Sequence, residues 1–180
     1  NAGLFDPSVA DEGTYYIFWN NPAGCGDSIQ VTVEKALTPV ISGIYDVYCS
    51  QNYVVNFTLA PDGGQLLGDF DVSSFNPSVI GQGDYTVIYR LTPEYCPMVD
   101  DTVEFTVYPP LSLMPLSAET NPVCYFETIE LNAIVEGGYP ENTLTYVWSN
   151  GGPNAAINTQ LYTETTVVTL TVDDGCSEPV

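Results

Sequence analysis

Cysteine is the residue type in this sequence with the clearest capacity for chemistry. The five cysteines of the 180-residue chain are Cys25, Cys49, Cys96, Cys124 and Cys176. Cysteines form disulfides, bind zinc or act as nucleophiles. The chain has no histidine and no Cys-x-x-Cys motif, which disfavours a zinc site. The missing histidine also excludes a Cys–His or Ser–His catalytic pair, which leaves disulfides or buried free thiols.

Carboxylates are the second type of side chain in this sequence that could take part in chemistry. The chain carries 23 Asp and Glu residues against Lys35 and Arg90, a formal net charge of −21. Nucleic-acid binding is excluded because phosphate contacts need clustered basic residues, and attraction to anionic membranes is disfavoured for the same reason. Paired carboxylates can cleave glycosides, but acidic residues in surface turns are common. We therefore expect no enzyme activity.

Three acidic pairs offer oxygen ligands for Ca²⁺. They are Asp69 with Asp71, Asp100 with Asp101, and Asp173 with Asp174. No Asp-x-Asp-x-Asp loop is present, and acidic turns are usually solvated. We therefore predict no metal site and no cofactor, with Ca²⁺ as the alternative.

An internal repeat in the sequence indicates which strands and turns must hold the cysteines and carboxylates in place. Phe75–Val107 and Phe5–Val33 share the pattern Phe-x-Pro-Ser-Val, then Gly-x-Tyr, an alternating run, a Cys, an Asp-Ser/Thr-Ile/Val triplet and a final alternating strand. Phe5 and Tyr15 lie seventy positions before Phe75 and Tyr85. A fixed period of this length indicates an array of small domains.

The runs between Gly/Pro turns alternate apolar and polar residues and are rich in Val, Thr, Ile and Tyr, as β-strands are. The sequence predicts an all-β fold, a tandem array of β-sandwich domains in an extended arrangement. The predicted domains are residues 1–36, the C-terminal part of a truncated domain; residues 37–109, a complete domain; and residues 110–180, truncated at its last strand. Residues 165–172 are among the predicted strands.

The repeat suggests how the cysteines pair. Cys49 opens the second domain and Cys96 closes it, while Cys124 opens the third and Cys176 closes it. We therefore predict the disulfides Cys49–Cys96 and Cys124–Cys176, with the partner of Cys25 upstream of the sequence. Free thiols at all five positions are the alternative. Disulfides imply an oxidising, extracellular setting.

Two motifs resemble known domain families. The sequences around Gly13-Thr-Tyr15 and Gly83-Asp-Tyr85 resemble the turn before strand F of immunoglobulin-like domains, where a tyrosine hydroxyl bonds back to the backbone. In the third domain, Tyr146-Val-Trp148-Ser-Asn-Gly-Gly152, with Thr166–Val172 and Asp-Asp-Gly-Cys176, is similar to the PKD family. The resemblance implies immunoglobulin-like and PKD-like sandwiches, with Trp148 on a core strand.

Taken together, the repeats resemble the modules of SprB-like adhesins, giant repetitive surface proteins of gliding Bacteroidota. This resemblance implies a long extracellular stalk exported by the type IX secretion route. The triplets Asp27-Ser28-Ile29 and Asp101-Thr102-Val103 resemble the O-glycosylation acceptor of these bacteria. The resemblance marks Ser28 and Thr102 as candidate acceptors; an ordinary turn entering a strand is the alternative.

We therefore expect a non-catalytic stalk or fibre segment of a bacterial cell-surface adhesin, serving gliding motility or attachment. The alternatives are a carbohydrate-binding or spacer module of a secreted enzyme and a subunit of a self-assembling extracellular filament. The expected partners are neighbouring repeats, other copies in a fibre and surface glycans. No run of eighteen apolar residues is present, so no membrane insertion is expected. Trp19 and Trp148 are expected in β-sandwich cores.

Overall fold

The computed structural model describes residues 4–118, 122, 124 and 126–180. Asn1, at which the first predicted domain begins, lies outside these residues. The described part of the chain is built almost entirely from β-strands, which confirms the predicted all-β class. The tandem, extended arrangement stays a prediction. Within the described ranges, no helix is long and apolar enough to cross a membrane.

The described elements comprise seventeen strands and one short helix, in seven sheets. In chain order they are β1 (Gly13–Asn20), β2 (Gly26–Val33), β3 (Val40–Ser42), β4 (Val47–Cys49), β5 (Val55–Asn56), β6 (Thr58–Ala60), β7 (Gln65–Gly68), β8 (Ser74–Phe75), α1 (Pro77–Ile80), β9 (Gly83–Leu91), β10 (Val99–Tyr108), β11 (Ser112–Leu113), β12 (Ser117–Ala118), β13 (Thr128–Asn132), β14 (Val135–Glu136), β15 (Thr145–Trp148), β16 (Ile157–Leu161) and β17 (Leu170–Asp173). The sheet orders are β4-β10-β9-β7, β12-β13-β16, β1-β2, β3-β6, β5-β8, β11-β14 and β15-β17.

The first core lies within residues 41–107 and is dominated by aromatic side chains. Alternate residues of β9 and β10 point to one face, as the two-residue period of a strand requires. On this face Phe105 stacks on Phe75 at 4.6 Å between ring centroids and meets Tyr48 edge-on at 5.4 Å. The four-stranded sheet and the β3-β6 and β5-β8 pairs therefore enclose one core, an arrangement compatible with a β-sandwich.

The second core lies within residues 111–172 and centres on Trp148. Trp148 is buried, and its indole N–H donates to Ala155 O at 2.9 Å. The two cores fall on either side of Pro109 and Pro110, where the sequence places a domain boundary. The division into three domains otherwise stays a prediction.

The β1-β2 and β9-β10 hairpins have the same register. Tyr15 lies opposite Val31 in the first hairpin, as Tyr85 lies opposite Phe105 in the second. Residues of β1 and β9 therefore correspond at an offset of seventy, and residues of β2 and β10 at an offset of seventy-four. The extra four residues lie in the hairpin turn, so the sequence repeat is also a structural repeat.

Both hairpins begin with the expected tyrosine corner. The Tyr15 hydroxyl donates to Asp11 O at 2.7 Å, and the Tyr85 hydroxyl lies 2.6 Å from Ile80 O and 3.1 Å from Gly81 O. Both hairpins thus contain the hydrogen bond that the immunoglobulin-like resemblance implies. The hydrogen bond joins the first residues of the strand to the chain that enters it.

Two local features differ from the sequence-based expectation. The short helix α1 forms where no helix was expected, because Asn76 caps it by accepting from Ser78 N at 3.1 Å and Pro77 occupies its first turn. The predicted strand over residues 165–172 begins only at Leu170. Its partner β15 ends at Trp148, opposite Leu170, so the earlier residues have no strand to pair with.

We expect Tyr85→Phe to lower the free energy of unfolding by about 1 kcal/mol, because the corner hydrogen bond is lost while the ring remains. Urea denaturation followed by circular dichroism measures the change. Tyr15→Phe is the matched control and should leave the main transition unchanged, since β1-β2 forms no part of either core. An equal loss in both variants would contradict this assignment.

Candidate functional site

A disulfide between Cys49 and Cys176 links the two cores. The cysteines are 127 positions apart in the sequence, and their Cα atoms are 5.8 Å apart. Cys49 is the last residue of β4 and lies beside Tyr108, the last residue of β10, in a parallel pairing. Cys176 follows β17. The bond therefore spans the junction, by which we mean the contact between the ends of β4 and β10 and the turn after β17.

The predicted disulfide Cys49–Cys96 is wrong. Cys96 lies in the loop before β10, whereas Cys49 lies beside the end of β10. β10 runs from Val99 to Tyr108, so at about 3.3 Å per residue the two cysteines are separated by about 30 Å. A disulfide requires Cα atoms within about 7 Å.

The predicted disulfide Cys124–Cys176 is also wrong. Cys124 precedes β13, whereas the turn containing Cys176 is bonded to Tyr139, which follows β14. Cys176 is bonded to Cys49 instead, which leaves Cys124 without a disulfide. Cys25, Cys96 and Cys124 carry no disulfide in the structure, and an upstream partner for Cys25 stays a prediction.

Direct contacts reinforce the disulfide. The Gln51 side-chain amide donates to Cys176 O. The rings of Tyr108 and Tyr139 lie 5.1 Å apart, and Gly138 N donates to Pro109 O at 3.2 Å. Backbone, ring and covalent contacts thus converge on one junction.

Two consecutive glycines make this close approach possible. Gly137 and Gly138 have φ angles of +72° and +73°, a region that other residues rarely adopt. A Cβ atom on Gly137 would lie 2.2 Å from Pro110 O, and one on Gly138 would lie 2.6 Å from the Asp174 Oδ2. A larger residue would clash with the backbone at Gly137 and with the Asp174 and Leu111 side chains at Gly138, and the positive φ would strain it at either position.

The Asp174 carboxylate organises the turn that carries Cys176. It is 1% exposed and accepts hydrogen bonds from Tyr139 N at 2.8 Å, Ser177 N at 2.6 Å, Cys176 N at 3.0 Å and the Ser177 hydroxyl at 3.1 Å. Burial raises the pKa of Asp174, but these hydrogen bonds together outweigh burial and hold the pKa below its usual value. The sequence predicts that Asp174 belongs to a solvated acidic pair. The Asp-Asp-Gly turn is the one sequence feature that indicates its structural role.

The candidate glycosylation acceptors occupy equivalent strand positions. Ser28 in β2 and Thr102 in β10 are both exposed. In each case the backbone N–H of the candidate residue donates to the carboxylate of the preceding aspartate. Ser28 N donates to Asp27 at 2.8 Å, and Thr102 N donates to Asp101 at 3.0 Å. The structure leaves both hydroxyl groups accessible, and glycosylation stays a prediction.

The other acidic pairs make local structural contacts. Asp69 accepts from Thr86 N, Asp101 from Ile41 N and Asp173 from Gly175 N, each at 2.7 Å. Asp100 forms a two-pronged ion pair with Arg90, which raises the Arg90 pKa and lowers the Asp100 pKa. Among the described residues, no group of three or more Asp, Glu, Cys or His side chains is placed to bind a metal ion.

An apolar groove lies in the second core and has a volume of about 410 Å³. Its lining residues are Leu116, Ile129, Leu131, Tyr162, Glu164, Thr165, Thr166 and Val168. Glu164 is the single carboxylate among these described residues, so the groove offers no pair of acidic groups for glycoside cleavage.

We expect non-reducing digestion to yield one peptide pair joined through Cys49 and Cys176, with Cys25, Cys96 and Cys124 alkylated. The bond closes a loop of 127 residues, which on the chain-entropy model stabilises the folded state by about 5 kcal/mol. Peptides joining Cys49 to Cys96, or Cys124 to Cys176, would contradict the structure. Reduction should therefore lower the urea midpoint.

We expect the stability of the second core to fall in acid partly through Asp174. Its folded-state pKa is depressed, so the charged carboxylate contributes stability above its ordinary pKa of 3.8, and the contribution is lost as pH falls through the folded pKa. Asp174→Asn should cost about 2 kcal/mol at pH 7 because a buried acceptor network is disrupted, and should show a weaker acid dependence.

Urea denaturation at several pH values, followed by Trp148 fluorescence, measures this difference. Glu178→Gln is the matched control, since Glu178 is exposed and lies four positions away. If Asp174→Asn and the unmodified chain lost the same stability between pH 7 and pH 3, the carboxylate would not be the acid-sensitive group.

Comparison with known proteins adds no family to these observations. No protein-family model, no curated protein and no solved structure matches the chain. The function is therefore inferred from the geometry of the junction and the resemblance of the motifs.

Proposed function

We propose that the chain is a non-catalytic segment of a stalk or fibre in a large bacterial cell-surface adhesin, serving gliding motility or attachment. The observation that carries this proposal is the Cys49–Cys176 disulfide across the junction. A stalk must transmit tension along its length without unravelling. A covalent bond between neighbouring cores supplies that resistance.

The position of the bond determines the path of a pulling force. Tension applied at the two ends of the chain passes from Cys49 directly to Cys176 and bypasses the residues between them. That segment contains all of the second core and most of the first. Both cores can then remain folded while the chain is under load.

Surface chemistry supports an extracellular location. Disulfides persist in oxidising compartments, and a net charge of −21 keeps neighbouring molecules apart. The absence of histidine from the sequence and the isolated acidic groups support a structural rather than a catalytic role. The exposed Ser28 and Thr102 hydroxyls are accessible to glycan attachment in such a setting.

Single-molecule force spectroscopy on the full chain, held at its two termini, tests the mechanical role. The disulfide locks residues 50–175 inside a closed loop. We expect the oxidised chain to release only the length outside this loop, and a reductant to release roughly 440 Å more, at about 3.5 Å per residue.

Cys49→Ser should behave as the reduced chain does under all conditions. Cys96→Ser is the matched control, because it removes a cysteine outside the disulfide and should keep the short extension. If oxidised and reduced chains extended by the same length at the same force, the junction would carry no load and the stalk proposal would lose its support.

A further inference from the structure

The β1-β2 hairpin presents an apolar face that the described residues leave largely uncovered. Trp19 is 62% exposed and Ile29 is 63% exposed, and Ile17 beside them is also exposed. Phe5 covers only the start of this face, with its ring 5.4 Å from that of Tyr15. Within the described part of the chain, β1 and β2 pair only with each other, so both outer edges are unpaired. The expectation from the sequence that Trp19 lies in a core is wrong, because its side chain is exposed.

The β9-β10 hairpin shows what the equivalent face contacts when it is covered. The counterparts of Ile17 and Trp19 are Val87 and Tyr89, which are 0% and 2% exposed. They lie in one core with side chains from residues 37–74, including Tyr48 and Phe57. That segment also pairs with the hairpin at both edges, β7 along β9 and β4 along β10.

Cys96 lies close to the position that a cysteine equivalent to Cys49 would occupy if a similar segment covered the β1-β2 hairpin. In the first core Cys49 lies opposite Tyr108, and it bonds to Cys176 of the next core. At the offset of seventy-four that relates β2 to β10, Tyr108 corresponds to Glu34. The Cys96 sulfur lies 3.8 Å from Glu34 O, and Tyr95 N donates to the Glu34 carboxylate at 2.9 Å. Cys96 therefore lies beside Glu34, the residue that corresponds to Tyr108 and next to which a cysteine equivalent to Cys49 would come.

We infer that the Ile17, Trp19 and Ile29 face of β1-β2 binds a half-sandwich with the apolar pattern of residues 37–74, joined ahead of Phe5. Cys96 forms a disulfide with the cysteine that this half-sandwich carries at the position of Cys49. In this exchange the two protein thiols are oxidised to one disulfide while a small-molecule disulfide is reduced to two thiols.

A second copy of the chain is a poorer occupant. Its residues 37–74 already cover its own β9-β10 hairpin, and releasing them would expose the first core. Two copies, each of net charge −21, also repel one another. This inference goes beyond the stalk role and does not depend on it, since it concerns how one hairpin is completed.

A chimera tests the inference directly, with a second copy of residues 37–74 joined to Phe5 and followed by the rest of the chain to Val180. After refolding with oxidised and reduced glutathione, we expect acrylamide quenching of Trp19 to fall several-fold. The Trp19→Phe variants of the chimera and of the parent chain give the fluorescence of Trp148 alone, which is subtracted. We also expect non-reducing digestion to join the added cysteine to Cys96, while Cys25 and Cys124 remain alkylated.

A chimera whose added cysteine is Ser separates docking from disulfide formation. It should keep Trp19 protected while the Cys96 thiol becomes reactive again. If Trp19 remains as accessible as in the parent chain, or the added cysteine does not join Cys96, the inference is overturned. Concentration-dependent dimerisation of the parent chain with protection of Trp19, seen by sedimentation and quenching, would overturn it in favour of a second copy.

Discussion

The parallel pairing of β4 with β10 is the constraint on which the rest of the structure depends. It places Cys49 beside Tyr108, at the end of the sheet that the chain leaves through Pro109 and Pro110. The thiol is thereby presented to the following core and kept away from Cys96 at the opposite end. β4 pairs only with Thr106, Val107 and Tyr108, at the end of β10 farthest from the β9-β10 turn, so a bond from Cys49 to Cys96 within the first core is out of reach.

The junction combines a covalent link with a closely fitted backbone. The positive φ angles of Gly137 and Gly138 let the chain turn against Pro109 and Pro110 without a Cβ in the way, while the Asp174 carboxylate gathers the N–H groups that present Cys176. These features depend on one another, because the disulfide needs the turn and the turn needs the buried carboxylate. A change in any of them acts on both cores.

Sequence alone predicted the features that local pattern controls. Strand alternation, the repeat and the tyrosine corners at Tyr15 and Tyr85 follow from residues close together in the chain, and the structure contains them. The cysteine pairing failed because the order of Cys49 and Cys96 along the chain does not show at which end of β10 the strand β4 pairs. Asp174 was missed because one of its partners, Tyr139, lies 35 positions away, although Cys176 and Ser177 are close in the sequence.

A disulfide between neighbouring cores has a different physical effect from a disulfide within one domain. A domain of this size buries only about 60% of its unfolded surface and is marginally stable alone. A disulfide inside one domain would stabilise that domain independently of the next. The bond from Cys49 to Cys176 instead restricts both cores with one closed loop, so that when either core opens, the disulfide still limits how far the chain can separate. In the tandem array that we propose, where stability is shared between nearest neighbours, this coupling favours a segment that resists extension as a whole.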